Sequence, residues 1–126
     1  MRRTIFYFDD DARLLELFEE MFRDEYDVLT AETLEEARRV LSDCRVEIII
    51  SDQSMPEIEG TEFLREAAAA CPESFRILLT GKITVGEVLG DMGAGVIHLF
   101  EVKPWREERM REILERAGAI LDHRRG

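Results

Sequence analysis

Asp9, Asp10 and Asp52, with Thr80 and Lys103, are the side chains of this sequence whose types could act together on a charged group. Each follows a short apolar run. Thr4 to Phe8 ends in Asp9-Asp10-Asp11, Ile48-Ile49-Ile50-Ser51 in Asp52, Arg76 to Leu79 in Thr80, and Val96 to Phe100 is followed closely by Lys103-Pro104. Carboxylates gathered at one place repel each other and raise each other's pKa unless a cation is present. Oxygen ligands from one or two carboxylates, completed by water and phosphate, suit octahedral Mg²⁺. Asp10 and Asp52 are the expected direct ligands, Asp9 a direct or water-mediated one, and the Ser54 main-chain carbonyl a further oxygen. Lys103 offers a mobile point charge that suits a phosphoryl group, and Thr80 offers a hydroxyl. A carboxylate nucleophile, Mg²⁺, a hydroxyl and an ammonium are the parts of an in-line phosphoryl transfer, whose charge must be neutralised from several sides. The nucleophile would be Asp52 and the product an aspartyl phosphate.

Five strands and five helices have to position these groups. Val46 to Ser51 reads as a strand buried on both faces, ending at Asp52 and a loop containing Pro56. Thr4 to Phe8, Tyr26 to Thr30, Arg76 to Thr80 and Val96 to Phe100 are the other strands, the second more polar and near an edge. Leu14, Leu15, Phe18, Met21 and Phe22 mark the first helix by their spacing. Thr33-Leu34-Glu35-Glu36 has the capping-box form and opens the second, with Leu34, Ala37, Val40 and Leu41 inward. Phe63, Leu64, Ala67 and Ala68 define the third, which Cys71-Pro72 stops. Val85, Val88, Leu89 and Met92 define a fourth, weakened by Gly86 and Gly90 at about 1 kcal/mol each, so it is expected to be the least stable element. Met110, Ile113, Leu114, Ala117 and Leu121 mark the fifth, leaving 122–126 as a basic tail or the start of a linker. Strands separated by helices are parallel, and right-handed crossovers with helices on both faces give a doubly wound α/β sheet of order 2-1-3-4-5. Ligands bind outside the carboxyl ends of such strands, at the switch point between strands one and three. Asp9-Asp10 and Asp52 stand at that point.

The totals exclude several classes of function. At 126 residues, with 45% hydrophobic and 36% charged residues, the chain is one domain able to form its own core. A net charge of -11 argues against direct nucleic-acid binding and against anionic lipid. No apolar run approaches the roughly 20 residues that span a bilayer, and a cytoplasmic setting is expected. Cys44 and Cys71 are far apart without CxxC spacing, so both are expected to be reduced and partly buried; His98 and His123 are isolated and not expected as ligands. Plainer roles exist for each site residue. Asp9 to Asp11 could serve only the positive end of the first helix, which is the preferred reading for Asp11. Asp52 could be a loop acid, Thr80 a strand end and Lys103 a solvated charge. The coincidence of Thr80 and Lys103 at successive strand ends favours the site.

These residues resemble the receiver domain of bacterial two-component response regulators, over essentially the whole chain and in order. The motifs are Phe8-Asp9-Asp10, Ser51 to Pro56 with Gly60, Leu79-Thr80-Gly81, and Phe100 with Lys103-Pro104. The resemblance implies a flavodoxin-like fold, Mg²⁺ dependence and transfer from a phosphohistidine of a sensor kinase, or of a histidine phosphotransfer protein, onto Asp52. It implies Thr80 and Phe100 as a switch pair, helix four, strand five and helix five as the face presented to an output domain or second copy, and a cis Lys103-Pro104 bond. Asp52-Gln53-x-Met55-Pro56, Leu79-Thr80-Gly81 and Lys103-Pro104-Trp105 look like receivers of hydrogenase-regulating transcription activators or of cyclic-di-GMP phosphodiesterases. Lys82 and the glycines after it depart from that subgroup, and Ser54 and Lys82 resemble positions that tune phosphoryl lifetime. A phosphorylation-independent interaction module would lack one of the acids, Thr80 or Lys103; none is missing. A metal-dependent phosphatase or nucleotide enzyme on a related sheet is a third reading, disfavoured because the sequence shows no P-loop, no GxGxxG turn and no second substrate-binding domain or cap.

Overall fold

The structure, a computed structural model, describes residues 2–43, 45–81 and 85–125; Cys44 and Lys82 lie outside them. Among the described residues strands and helices alternate as β1 (Thr4–Phe8), α1 (Ala12–Phe22), β2 (Asp27–Ala31), α2 (Leu34–Asp43), β3 (Ile48–Asp52), α3 (Gly60–Ala70), β4 (Phe75–Thr80), α4 (Val85–Gly93), β5 (Leu99–Val102) and α5 (Glu107–Arg125). The five strands are parallel in the order β2-β1-β3-β4-β5. The expected topology is therefore the observed one.

Strand periodicity divides the interior into two cores. Ile5, Tyr7, Ile48, Ile50, Ile77 and Leu79 face α1 and α5, where Leu15, Phe18, Phe22, Met110, Ile113, Leu114 and Ala117 meet them. Phe6, Phe8, Ile49 and Leu78 face the other way, onto Ala37, Leu41, Phe63, Leu64, Ala67 and Val88. Every residue of β3 is buried, as a central strand covered on both faces requires. The capping box forms: Glu36 N–H donates to Thr33 Oγ1 and Thr33 N–H to Glu36 Oε1, both at 3.2 Å.

Several strand ends lie one or two residues from the sequence reading, with β2 at Asp27–Ala31, β3 at Ile48–Asp52 and β4 at Phe75–Thr80, and two boundaries differ more. The fifth strand is Leu99–Val102 rather than 96–100. Val96 and Ile97 donate their N–H groups to the Asp91 carbonyl at the end of α4, and the Val96 carbonyl accepts from the Arg76 side chain, so neither residue is available to the ladder. His98 consequently precedes the strand. Helix α5 continues through Arg125, so residues 122–125 are helical rather than an irregular tail. Gly95, at φ 78°, ends α4 in the left-handed region that glycine tolerates.

Candidate functional site

The register of the sheet brings β1 and β3 side by side, Phe8 opposite Ser51, so that the chain leaves both strands at the same rim. Asp9 and Asp52 are buried there, and Asp10 is exposed beside them. One carboxylate oxygen from each of Asp9, Asp10 and Asp52 lies within 4.8 Å of the others. Asp11 caps α1, accepting from the N–H groups of Arg13 and Leu14 at 3.1 and 3.3 Å. Its assignment to the helix rather than the cluster holds.

Lys103 reaches this cluster from the end of β5. Its Nζ donates to Asp52 Oδ1 at 3.0 Å and to Asp9 Oδ2 at 3.4 Å. The Lys103-Pro104 peptide is cis, and the Lys103 N–H donates to the Thr80 carbonyl at 2.9 Å. Burial alone would lower the lysine pKa, but its hydrogen bond to Asp52 and the charge of Asp9 raise it on balance, so the group stays an ammonium. Burial raises the Asp9 pKa, against the Asp11 N–H and Lys103, which both favour the ionised form. A buried acid whose charged form is held only by its neighbours is a natural receptor for a cation.

The phosphoacceptor candidate is placed by the loop behind it. Gln53 N–H donates to the Leu79 carbonyl at 2.8 Å, Gly60 N–H to the Gln53 carbonyl at 3.0 Å, and Thr61 N–H to Gln53 Oε1 at 2.9 Å. Gln53 thus ties the end of β3 to β4 and to the first turn of α3. Gly60 is packed so closely that a Cβ there would run into the Asp52 carbonyl and stand 2.9 Å from Gln53 Cα. Thr80 is buried at the end of β4, next to the strand that ends in Asp52. Phe100 pairs with Leu78 in the ladder and packs, half-buried, on the edge of the second core. Ser54 is exposed in the loop after β3.

Asp9, Asp10, Asp52 and Lys103 are therefore joined in one cluster; Thr80 ends the neighbouring strand, Ser54 lies in the loop just past Asp52, and Phe100 sits within β5 on the edge of the second core. One residue at the site went unremarked in the sequence. Tyr7 donates its hydroxyl to Asp9 Oδ2 at 3.2 Å, and its ring meets edge-on the same Phe18 ring that Trp105 meets. Burial first, and then the charge of Asp9, keep the Tyr7 phenol protonated well above its ordinary pKa. The signal was present in β1, since residues two apart on a strand share a face and Tyr7 is the one polar-tipped side chain of Ile5 to Phe8.

A parallel sheet of this order with acids and a lysine at its switch point defines a class of signalling domain rather than a single protein. A family model for the response regulator receiver domain matches residues 5–115, and the chain belongs to that family. It is 29% identical over 114 residues to the hydrogenase transcriptional regulatory protein HoxA of Cupriavidus necator, covering 90% of this chain and 24% of that protein. It is 31% identical over 110 residues to the transcriptional regulatory protein GlrR of Escherichia coli, covering 86% and 24%. The chain thus spans about a quarter of the length of these relatives. Among solved structures, a CheY-like response regulator receiver domain protein from Methanospirillum hungatei superposes with a TM-score of 0.84 at 25% identity, covering 98% of this chain and 96% of that one. The BeF3-activated DrrB receiver domain gives 0.81 at 26% identity, covering 93% and 97%. The chain is a receiver domain of two-component signalling, homologous to CheY-like phosphoacceptor domains. No helix among the described residues is long and apolar enough to cross a membrane.

Proposed function

We propose that Asp52 accepts a phosphoryl group from the phosphohistidine of a sensor kinase or histidine phosphotransfer protein. The observation that carries this is the Lys103 ammonium lying across Asp9 and Asp52 at the mouth of the sheet. An Asp52 oxygen attacks phosphorus in line, the phosphorus–nitrogen bond breaks, and the departing imidazole keeps the bonding pair and takes up a proton. Asp9, Asp10, Asp52 and the Ser54 carbonyl would hold Mg²⁺, a fit supported by a donor set made wholly of oxygen. Bound there, Mg²⁺ would neutralise charge on the transferring oxygens. The Lys103 ammonium, bonded to Asp52 at 3.0 Å, does the same, and Thr80 supplies a hydroxyl.

Drawing Thr80 and Lys103 toward the new phosphoryl group biases a pre-existing equilibrium, with the Phe100 ring turning inward behind Thr80. The altered surface is that of α4, β5 and α5, where Leu89 and Val102 are already exposed. It is presented to an output domain or a second copy of the chain. The domain works as a switch in the cytoplasm and catalyses only its own phosphorylation and dephosphorylation. Its receiver unit is residues 1–121, which 122–125 prolong as helix. Intact-mass measurement after incubation with acetyl phosphate tests the assignment. One phosphoryl group should be gained with Mg²⁺, and none with chelator. Labelling that persists in Asp52→Ala would contradict it.

A further inference from the structure

We propose that Tyr7 is a positioning residue of the acid pocket, holding Asp9 for whatever cation the pocket takes, and that Trp105, which shares the Phe18 contact with Tyr7, senses its occupancy. The inference rests on the reading of the pocket as a Mg²⁺ site and adds residues to it. Asp9 accepts at both oxygens: Oδ1 from the Asp11 N–H at 3.0 Å, and Oδ2 from Tyr7 at 3.2 Å and from Lys103 at 3.4 Å. These donors are not equivalent. Lys103 is shared with Asp52 at 3.0 Å and sits on a flexible stem, so a phosphoryl group on Asp52 competes for it. The Tyr7 hydroxyl has no such freedom. Its ring is fully buried and meets Phe18 edge-on, with centroids 5.0 Å apart and planes at 83°. Tyr7 is therefore the donor on Oδ2 that stays in place when Lys103 moves.

The Tyr7 ring also leads outward. Trp105, half-buried in the segment between β5 and α5, meets edge-on, at 6.0 Å, the same Phe18 ring that Tyr7 meets edge-on. Trp105, Phe18 and Tyr7 form a line of ring contacts that ends at the Asp9 carboxylate. A partner that orients a metal-binding carboxylate fixes its geometry, and loss of such a partner typically weakens metal binding. Trp105 follows Lys103-Pro104 directly, so a change at the pocket reaches it along the backbone from Lys103 and through these ring contacts.

The chain has a single tryptophan, so its emission reports Trp105 alone. MgCl2 titrated into the full chain, followed by calorimetry and by emission, should give one saturable transition with the same midpoint in both. Tyr7→Phe keeps the ring against Phe18 and removes only the hydroxyl; it should bind Mg²⁺ about tenfold more weakly. The emission midpoint should move with the calorimetric one, an effect that loss of stability alone would not produce. Affinity within about twofold of wild type overturns the proposal while leaving the Mg²⁺ site standing. A wild-type chain that binds no Mg²⁺ overturns both. Should Tyr7→Phe not fold, the wild-type chain with ¹³C-labelled tyrosine decides it: the Tyr7 ring resonance should shift at the calorimetric midpoint while Tyr26 stays put. A stationary Tyr7 resonance overturns the proposal.

Discussion

Acid should destabilise this domain through a single histidine far from the site. His98 lies at the opposite end of the sheet from the acid cluster, stacked on Phe75 with centroids 4.9 Å apart. Its Nδ1 accepts the Arg76 N–H at 2.9 Å, so the neutral ring satisfies the first amide of the strand that would otherwise lack a partner. Burial, then the neighbouring Arg76 and Arg124 guanidinium groups, push its pKa down from 6.5 to about 4. The unfolded chain binds this proton near pH 6.5, and the folded chain does so only near pH 4. Stability is thus present in full above the unfolded value and is lost as pH falls toward the folded one. The shift of about two and a half units corresponds to roughly 3 kcal/mol when complete, and to about 2 kcal/mol by pH 5. That is a large fraction of the 5–15 kcal/mol typical of a domain.

Urea unfolding followed by Trp105 emission, at about pH 7 and about pH 5, measures the loss. The control is His98→Asn, whose amide oxygen can still accept the Arg76 N–H but cannot be protonated. Between the two pH values the variant should lose about 2 kcal/mol less than wild type. Asp9 titrates with the opposite sign, because its raised pKa lets the folded state take up the proton first. That contribution is common to both proteins and cancels in the difference. Equal losses within about 0.5 kcal/mol would refute the reasoning, since His98 would then titrate alike in both states.

Gly60→Ala should lower stability by about 1–3 kcal/mol, because its Cβ meets the backbone of Asp52 and Gln53 and only a shift of the loop can admit it. Phosphoryl uptake from acetyl phosphate should slow as Asp52 moves; a variant equal to wild type in urea unfolding would show that the loop gives freely. Thr61→Val should be stabilising by about 1 kcal/mol, since among the described residues Thr61 Oγ1 is buried with no hydrogen-bond partner and Val replaces it with a methyl of similar shape. A lower thermal midpoint in Thr61→Val would mean that the hydroxyl is bonded in solution.

The sheet order, both cores and the acid cluster were legible because each rests on local pattern. The β-branched run Ile48 to Ile50 reads as a strand buried on both faces whatever surrounds it, and Asp52 must then emerge at its carboxyl end. The capping box at Thr33 and Glu36 is likewise complete within four residues. What escaped the sequence depends on partners distant along the chain. Gln53 looks like any loop residue until β4 and α3 are in place to receive it. The start of β5 was misplaced because Val96 and Ile97 are apolar and β-prone, while the groups that occupy their backbone belong to Asp91 and Arg76. Pairings of this kind leave no periodicity to read.

Those same distant pairings brace the carboxyl end of α4. Arg65 on α3 grips Asp91 with two bonds of 3.0 Å, and Asp91 is buried although Arg65 is half exposed. Just beyond, the Arg76 side chain donates to the carbonyls of Val96 and Gly95 at 2.8 and 3.0 Å, and on its other side to Cys71 and Ser74. Burial lowers the Arg76 pKa, yet with these acceptors arranged around it the guanidinium remains charged. The carboxyl end of α4 is thus fastened to α3 and to the start of β4, and hydrogen bonds to charged groups contribute about 1.5–3 kcal/mol each. A rearrangement of α4 therefore has to work against these contacts at its carboxyl end. Glycine content alone had marked the whole helix as weak; Arg65 and Arg76 brace the end that carries Asp91.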